Sequence, residues 1–462
     1  MASAGMNECG PRCRILRAGG SPNGRWSRGL LLVPTLLVLT LAGCAAGGRA
    51  GEHQLTRDER QLNVASFDLI WRTIRDEHFD PALGGLNWNA VRDELRPQVQ
   101  RAHTMSAARH AMSSAIERLK QSHFAIIPVK AYAEMASRHG DGGEGETGLV
   151  VRVLDGRALV TAVRSGSPAE QAGVRPGWEI VRVADDDVAP ALARIAESYR
   201  NSTVQPYMLA AMLTGWLAGP IGQPVAVAFR AAGDQQTVLD LMRAAPDGQL
   251  VRFGHLPPLH LRFETRRIEP DVGYIAFNLF FDPATLMPQF EQAVESYMGT
   301  TRGIIIDLRG NPGGLGVLSM GMAGWFVSHA DQPLGVMHTR NAELKFAIFP
   351  RAQTYDGPLA LLVDGCSAST AEIMAGGLQD LGRARIFGTR TAGAALPSQV
   401  VRLPNGDGFQ YATADYVTTS GRRLEGVGVT PDVEVQPTRD QLLAGHDPVI
   451  DAAAEWIRAQ SQ

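Results

Sequence analysis

Three apolar runs constrain this 462-residue chain more than any other feature: Gly273 to Leu279, Gly303 to Leu308 and Leu359 to Asp364. A strand with one face in water alternates apolar and polar side chains. These runs do not alternate, so each is expected to be buried on both faces. Amphipathic segments at about 286–298, 315–327 and 369–381 supply helices to cover them, which predicts a sheet with helices packed on it. With 45% apolar and 20% charged residues the chain has material for two or three cores. A formal charge of −3 leaves no basic excess to neutralise phosphates, so nucleic acid is excluded as a partner.

The N-terminus carries a different signal. Arg25 and Arg28 precede the apolar run Leu30 to Leu41, which closes in Leu41-Ala42-Gly43-Cys44, the pattern of a secretion signal. As a helix the run would span ~18 Å, short of the ~30 Å hydrocarbon core, so a permanent membrane span is not expected. The ending resembles the lipobox of bacterial lipoproteins, which implies a signal peptide over residues 1–43 and a diacylated Cys44 at the mature N-terminus. Cys9 and Cys13 would leave with the leader, and Cys366 would have no disulfide partner. The expected location is the bacterial cell envelope, facing the periplasm and tied to the membrane through lipid. Ala45, in place of an aspartate, favours the outer membrane. Residues 44–60 read as a polar tether and 61–130 as a helical cap, because Phe67, Ile70, Trp71, Ile74 and His78 recur at helical spacing. The cysteines lack a CxxC pair, and Asp76-Glu77-His78 lacks the second histidine of a helical zinc motif, so neither metal nor cofactor is expected.

Behind the acidic glycine stretch Asp141 to Gly145, read as a linker, two short strands precede the run Ser165-Gly166-Ser167-Pro168-Ala169-Glu170-Gln171-Ala172-Gly173-Val174-Arg175-Pro176-Gly177. Pro168 suits the first turn of a short helix, Gly173 its left-handed end, and Pro176-Gly177 a tight turn into the next strand. The run resembles a PDZ domain over residues 145–243, with Ala191 to Gly219 as an insertion. That resemblance implies capture of an extended peptide as an added strand, with a free C-terminal carboxylate held at Gly148-Leu149. The plainer alternative is a domain that only packs against its neighbour.

Chemistry concentrates where the apolar runs end. Asp307-Leu308-Arg309-Gly310-Asn311-Pro312-Gly313-Gly314 is a strand entering a glycine turn, without the Lys-Ser or Lys-Thr pair that phosphate binding requires. Asp364-Gly365-Cys366-Ser367-Ala368-Ser369-Thr370-Ala371-Glu372 places hydroxyl residues where a strand becomes a helix. A serine there is either a plain N-cap or a nucleophile beside free backbone N–H groups. With Gly377 to Ala384, Thr391-Ala392-Gly393 and Gly426-Val427-Gly428-Val429-Thr430-Pro431-Asp432, these motifs resemble the tail-specific, or C-terminal processing, serine protease family, which also carries a PDZ domain before its core. The resemblance implies an α+β multidomain protein: helical N-terminal region, β-rich PDZ-like domain, α/β (ClpP/crotonase-like) catalytic core at 260–437, and a C-terminal helix at 438–462.

The resemblance makes Ser369 the nucleophile of a serine endopeptidase that cuts polypeptides through an acyl-enzyme. Many members pair that serine with a lysine, but Ala394 occupies the lysine position here. Only Lys120, Lys130 and Lys345 exist elsewhere in the chain. A serine hydroxyl still needs a base. Ser122-His123 looks like the Ser-His pair of the tricorn-core branch, which implies His123 as base, oriented by Ser122 and by Glu425. The implied oxyanion donors are the N–H of Thr370 and that of Gly313 or Gly314. Such a base predicts activity rising through roughly pH 6 to 7. Cys366 reads as a buried small hydrophobe and Asp380 as a structural brace. The alternative from another class is a non-catalytic lipoprotein that binds a peptide or an apolar ligand on the same scaffold.

Overall fold

The computed structural model describes residues 34–36, 53–129, 144–256, 258–268 and 270–460, with mixed helix and sheet throughout. Cys44, with the expected leader cleavage and lipid site, lies outside the described residues.

The first helix, Arg57–Glu77, begins inside the segment expected to be a tether. Thr56 accepts from the Glu59 N–H while the Glu59 carboxylate accepts from the Thr56 N–H, a capping box that satisfies two orphan donors. Helices Trp88–Arg101 and Met105–Glu117 pack against it around Phe67, Ile70, Ile74, Val91, Leu95 and Met112. The segment that follows does not stay with them. Ala125–Ile127 pairs antiparallel with Gly408–Ala412, so the end of the expected cap is a strand of the C-terminal half. The cap read from the sequence therefore ends in a strand, and only the tertiary structure says which strand it joins.

Residues 149–242 build a sheet in the order 236–242, 224–230, 179–183, 157–163, 149–154, around Val160, Val227 and Phe229. The expected insertion is a pair of helices, Val188–Ser198 and Gln205–Leu217. Glu144–Gly145, read as linker, is a short strand paired with Gly219–Pro220.

The three apolar runs form Val272–Phe277, Gly303–Asp307 and Leu359–Val363, adjacent and parallel in a six-stranded sheet that continues through Arg385–Gly388 to Val433–Glu434. Phe263–Ile268 closes the other edge antiparallel. Helices Pro283–Tyr297 and Thr370–Asp380 cover one face; Pro448–Gln460 covers the other through Ile450, Ala453 and Ile457. The helix expected over 315–327 is shorter, Gly316–Ala323. The expected C-terminal helix is two, Arg439–Leu443 and Pro448–Gln460, broken at Gly445.

Candidate active site

The parallel strands 303–307 and 359–363 end side by side, and their exits are stitched together. Asp364 accepts from the N–H of Gly310 at 2.8 Å, the N–H of Cys366 at 2.9 Å and Nε of Arg152 at 2.6 Å. Burial raises the Asp364 carboxyl, but the Arg152 guanidinium together with the Gly310 and Cys366 N–H donors outweighs it and holds the group below its ordinary range. Arg152 belongs to the strand Leu149–Leu154, so the first sheet reaches directly into this turn. The Ser367 hydroxyl donates to the Leu308 carbonyl at 2.7 Å.

Ser369 closes the turn as the N-cap of helix Thr370–Asp380, with φ 58° and ψ −121°. A non-glycine residue in that region costs about 1–3 kcal/mol, so surrounding bonds must hold it. They do. The Ser369 N–H donates to the Ala394 carbonyl at 2.8 Å and to Glu372 Oε2 at 3.0 Å. Glu372 is fully buried and also accepts from Thr391 Oγ1 at 2.5 Å, the Gly393 N–H at 2.8 Å and the Ala394 N–H at 2.9 Å. Burial pushes its carboxyl up to about 7 against the pull of those four donors. Thr370, as the first residue of the helix, has an N–H with no intrahelical acceptor. Gly313, at φ 96°, lies against it, and an added Cβ would come within 2.7 Å of Ser369 Cβ and 2.8 Å of the Thr370 nitrogen. Its own N–H donates to Asn311 Oδ1 at 2.9 Å, which leaves Gly314 as the glycine whose donor Asn311 does not take.

The second half of the site comes from the N-terminal region. Ser122 Oγ lies 2.7 Å from His123 Nδ1 and donates to Glu425 Oε2 at 2.8 Å; its N–H donates to Glu425 Oε1 at 2.8 Å. Glu425 Oε2 also accepts the Ala395 N–H at 3.1 Å. This arrangement fixes a tautomer. An ionised carboxylate only accepts, so the single hydroxyl proton of Ser122 goes to Glu425, Nδ1–H donates to Ser122 Oγ, and the lone pair sits on Nε2. Nε2 is buried and has no hydrogen-bond partner. Burial alone drives the imidazole down to about 3 and raises the Glu425 carboxyl, against the lowering effect of Ser122. The turn is strained as well, with Lys120 at φ 52° and His123 at φ 60°.

Ser122, His123 and Glu425 are therefore joined by hydrogen bonds. Ser369 connects to them through the loop 391–395, where Glu372 holds Ala394 and Glu425 holds Ala395. No hydrogen bond joins Ser369 to His123 Nε2 in this resting arrangement. Lys120 and Lys345 are exposed, and Lys130 lies outside the described residues. Cys366 is buried with its thiol pushed up to about 12 by burial, so it stays protonated and unreactive. Asp380 accepts the Ser420 N–H at 2.9 Å and pairs with Arg422, a brace. Gly148, at φ 88°, packs against Ser167, beside the edge strand that begins at Leu149. Among the described residues no cluster of histidine, cysteine and carboxylate side chains could hold a metal.

Two elements of the site escaped sequence reasoning. Glu372 stood in the hydroxyl-rich motif without a role of its own, and only its complete burial marks it. The helix Gln205–Leu217 read as an insertion, yet Val204 and Tyr207 pack on Ala368, Ala392 and Ala394.

Residues 271–435 match the model of peptidase family S41, and residues 64–113 match the tricorn protease C1 domain. This chain carries a family S41 peptidase domain. It is a serine-type peptidase. The S41 domain contains Gly313, Ser369, Thr370, Glu372 and Glu425, whereas Ser122 and His123 lie between the two matched regions. Similar proteins include a carboxy-terminal-processing protease of Bartonella bacilliformis, 26% identical over 68% of this chain and 67% of that one. A carboxyl-terminal-processing protease of Synechocystis is 25% identical over 82% and 81%. The fold is shared with the photosystem II D1 C-terminal processing protease, at TM-score 0.55 and 22% identity over 86% of this chain and 99% of that one. It is also shared with mature CPAF complexed with lactacystin, at TM-score 0.58 and 13% identity over 87% and 98%.

Proposed function

We propose that this serine peptidase is an endopeptidase that cleaves polypeptides through an acyl-enzyme, with Ser369 as nucleophile and His123 as base. The observation that carries the reading is the buried chain Glu425–Ser122–His123, which presents an unpartnered Nε2 lone pair in a chain whose lysine position is alanine. Nε2 takes the Ser369 proton as Oγ attacks the scissile carbonyl. The oxyanion is met by the N–H groups of Thr370 and Gly314, and the imidazolium returns its proton to the leaving amine. Water then repeats the sequence on the ester. Catalytic hydrogen bonds that are loose without substrate tighten when it binds, which accommodates the absent Ser369–His123 bond. Pro34–Leu36 runs antiparallel along Gly313–Leu315, which supports an extended substrate added as a strand beside Ser369. A fluorophosphonate should modify Ser369 alone, read by mass spectrometry of the peptide that contains it. No adduct, in protein shown to be folded, favours the non-catalytic ligand-binding reading.

The same proposal places a peptide C-terminus at Gly148-Leu149, on the edge strand whose Arg152 reaches Asp364. A peptide with a free C-terminus should bind more tightly than its amide, and equal binding argues against capture. The protein is further proposed to be a periplasm-facing lipoprotein held by acylated Cys44, in the outer membrane by the identity of Ala45. The apolar run Leu30 to Leu41 supports this, and among the described residues no helix is long and apolar enough to cross a membrane. Cys44→Ser should lose the acyl mass and leave an uncleaved or soluble form; an unmodified mature N-terminus elsewhere in the parent sinks the assignment.

A further inference from the structure

We propose that His78, a second buried histidine, is a positioning residue for the base, holding the turn that carries Ser122 and His123. The inference rests on the assignment of His123 made above. His78 ends the first helix, donating its N–H to the Ile74 carbonyl, and is fully buried. Its ring touches the chain on both sides of the Ser122-His123 pair. Before the pair, Nε2 lies 2.8 Å from Gln121 Oε1. After it, the ring stacks on Phe124, with centroids 5.7 Å apart and planes 15° from parallel. Nδ1 lies 2.9 Å from the Asp80 carbonyl oxygen and 3.0 Å from the Asp80 nitrogen, and Nε2 donates to Gln121 Oε1 when it carries the proton. Arg340 fastens the same helix end from outside through the carbonyls of Arg75 and His78.

The turn needs such an anchor. Lys120 and His123 both hold positive φ, a conformation that side-chain-bearing residues leave when released. Glu425 grips Ser122 from the interior; nothing in that grip fixes Gln121 or the entry of the strand at Ala125. His78 supplies the opposing contact, and between the two the imidazole of His123 has one placement. The helical region thereby takes part in setting the catalytic geometry, although none of its helices contributes a reacting group.

The test compares His78→Phe, His78→Gln and Gln121→Met with the parent in the full mature chain. His78→Phe keeps a ring for Phe124 but cannot donate to Gln121, whereas the amide of His78→Gln can. His78→Phe is expected to lower kcat and the rate of fluorophosphonate labelling at least tenfold with KM changed less than twofold. His78→Gln should recover most of that loss. His78→Phe and Gln121→Met should give no more loss together than singly, because both break one bond. Each rate is expressed per folded molecule, with thermal unfolding followed in parallel. A His78→Phe enzyme within twofold of parental kcat, or a loss that tracks only the folded fraction, overturns the proposal. His123→Ala run beside them separates the two levels. If it is dead while His78→Phe is fully active, only the role of His78 fails; if it retains activity, the base assignment fails and the positioning role with it.

Discussion

Ser369→Ala and His123→Ala are each expected to lower kcat by at least about three orders of magnitude, and the double variant to be no slower than the worse single one. The proton that Ser369 must lose has one buried acceptor proposed for it, so removing either end removes the same step. Lys120→Met is the control that decides between bases. A dead Lys120→Met enzyme beside an active His123→Ala enzyme would assign the proton to lysine, but Lys120 is exposed and is expected to be dispensable. The pH dependence sharpens the test. Burial holds the His123 imidazole at about 3, below its ordinary ~6.5. The native protein therefore keeps it neutral across the range where the unfolded chain binds a proton, and stability falls as pH drops from ~6.5 towards 3. Activity at pH 6 to 7 should be level, in place of the rise expected from an ordinary histidine. Thermal unfolding measured against pH should lose less on acidification in His123→Ala than in the parent.

Glu425→Gln is expected to cost about 10²–10⁴ in kcat with little change in KM, more than a passive brace would. Both carboxylate oxygens accept, Oε1 from the Ser122 N–H and Oε2 from the Ser122 hydroxyl and the Ala395 N–H. An amide has one accepting end. Either its NH2 group faces the Ser122 N–H, or it faces the Ser122 hydroxyl and turns that proton towards Nδ1, moving the imidazole proton to Nε2, where it blocks catalysis. Protonation of the native carboxyl, which burial raises, has the same effect. The acid limb of kcat/KM in the parent should therefore report Glu425 and vanish in Glu425→Gln. A Glu425→Gln enzyme that keeps both its rate and that limb refutes the relay.

Residues whose chemistry shows in their neighbours along the chain were legible. The place of Ser369 at a corner between a buried strand and a helix was legible in its hydroxyl cluster, and the three apolar runs did become adjacent buried strands. The start of the first helix was also written locally, in Thr56 and Glu59, and was passed over for a tether. Glu372 and His78 had no such signal. A first-turn glutamate and a histidine at a helix end are ordinary, and they become special only when the fold excludes water from them. The placement of 125–127 beside 408–412 was equally hidden, since an apolar triplet carries no address for a partner nearly three hundred residues away.

Ser122 and Glu425 stand 303 residues apart in sequence yet share two hydrogen bonds. A ribosome therefore releases most of this polypeptide before the acceptor for the serine's proton can be oriented, and any product that ends before residue 425 lacks one side of the pair. On the proposed mechanism such a product has no oriented base. Hydrolytic capacity, on that mechanism, arrives only when one short turn seats against a glutamate near the far end.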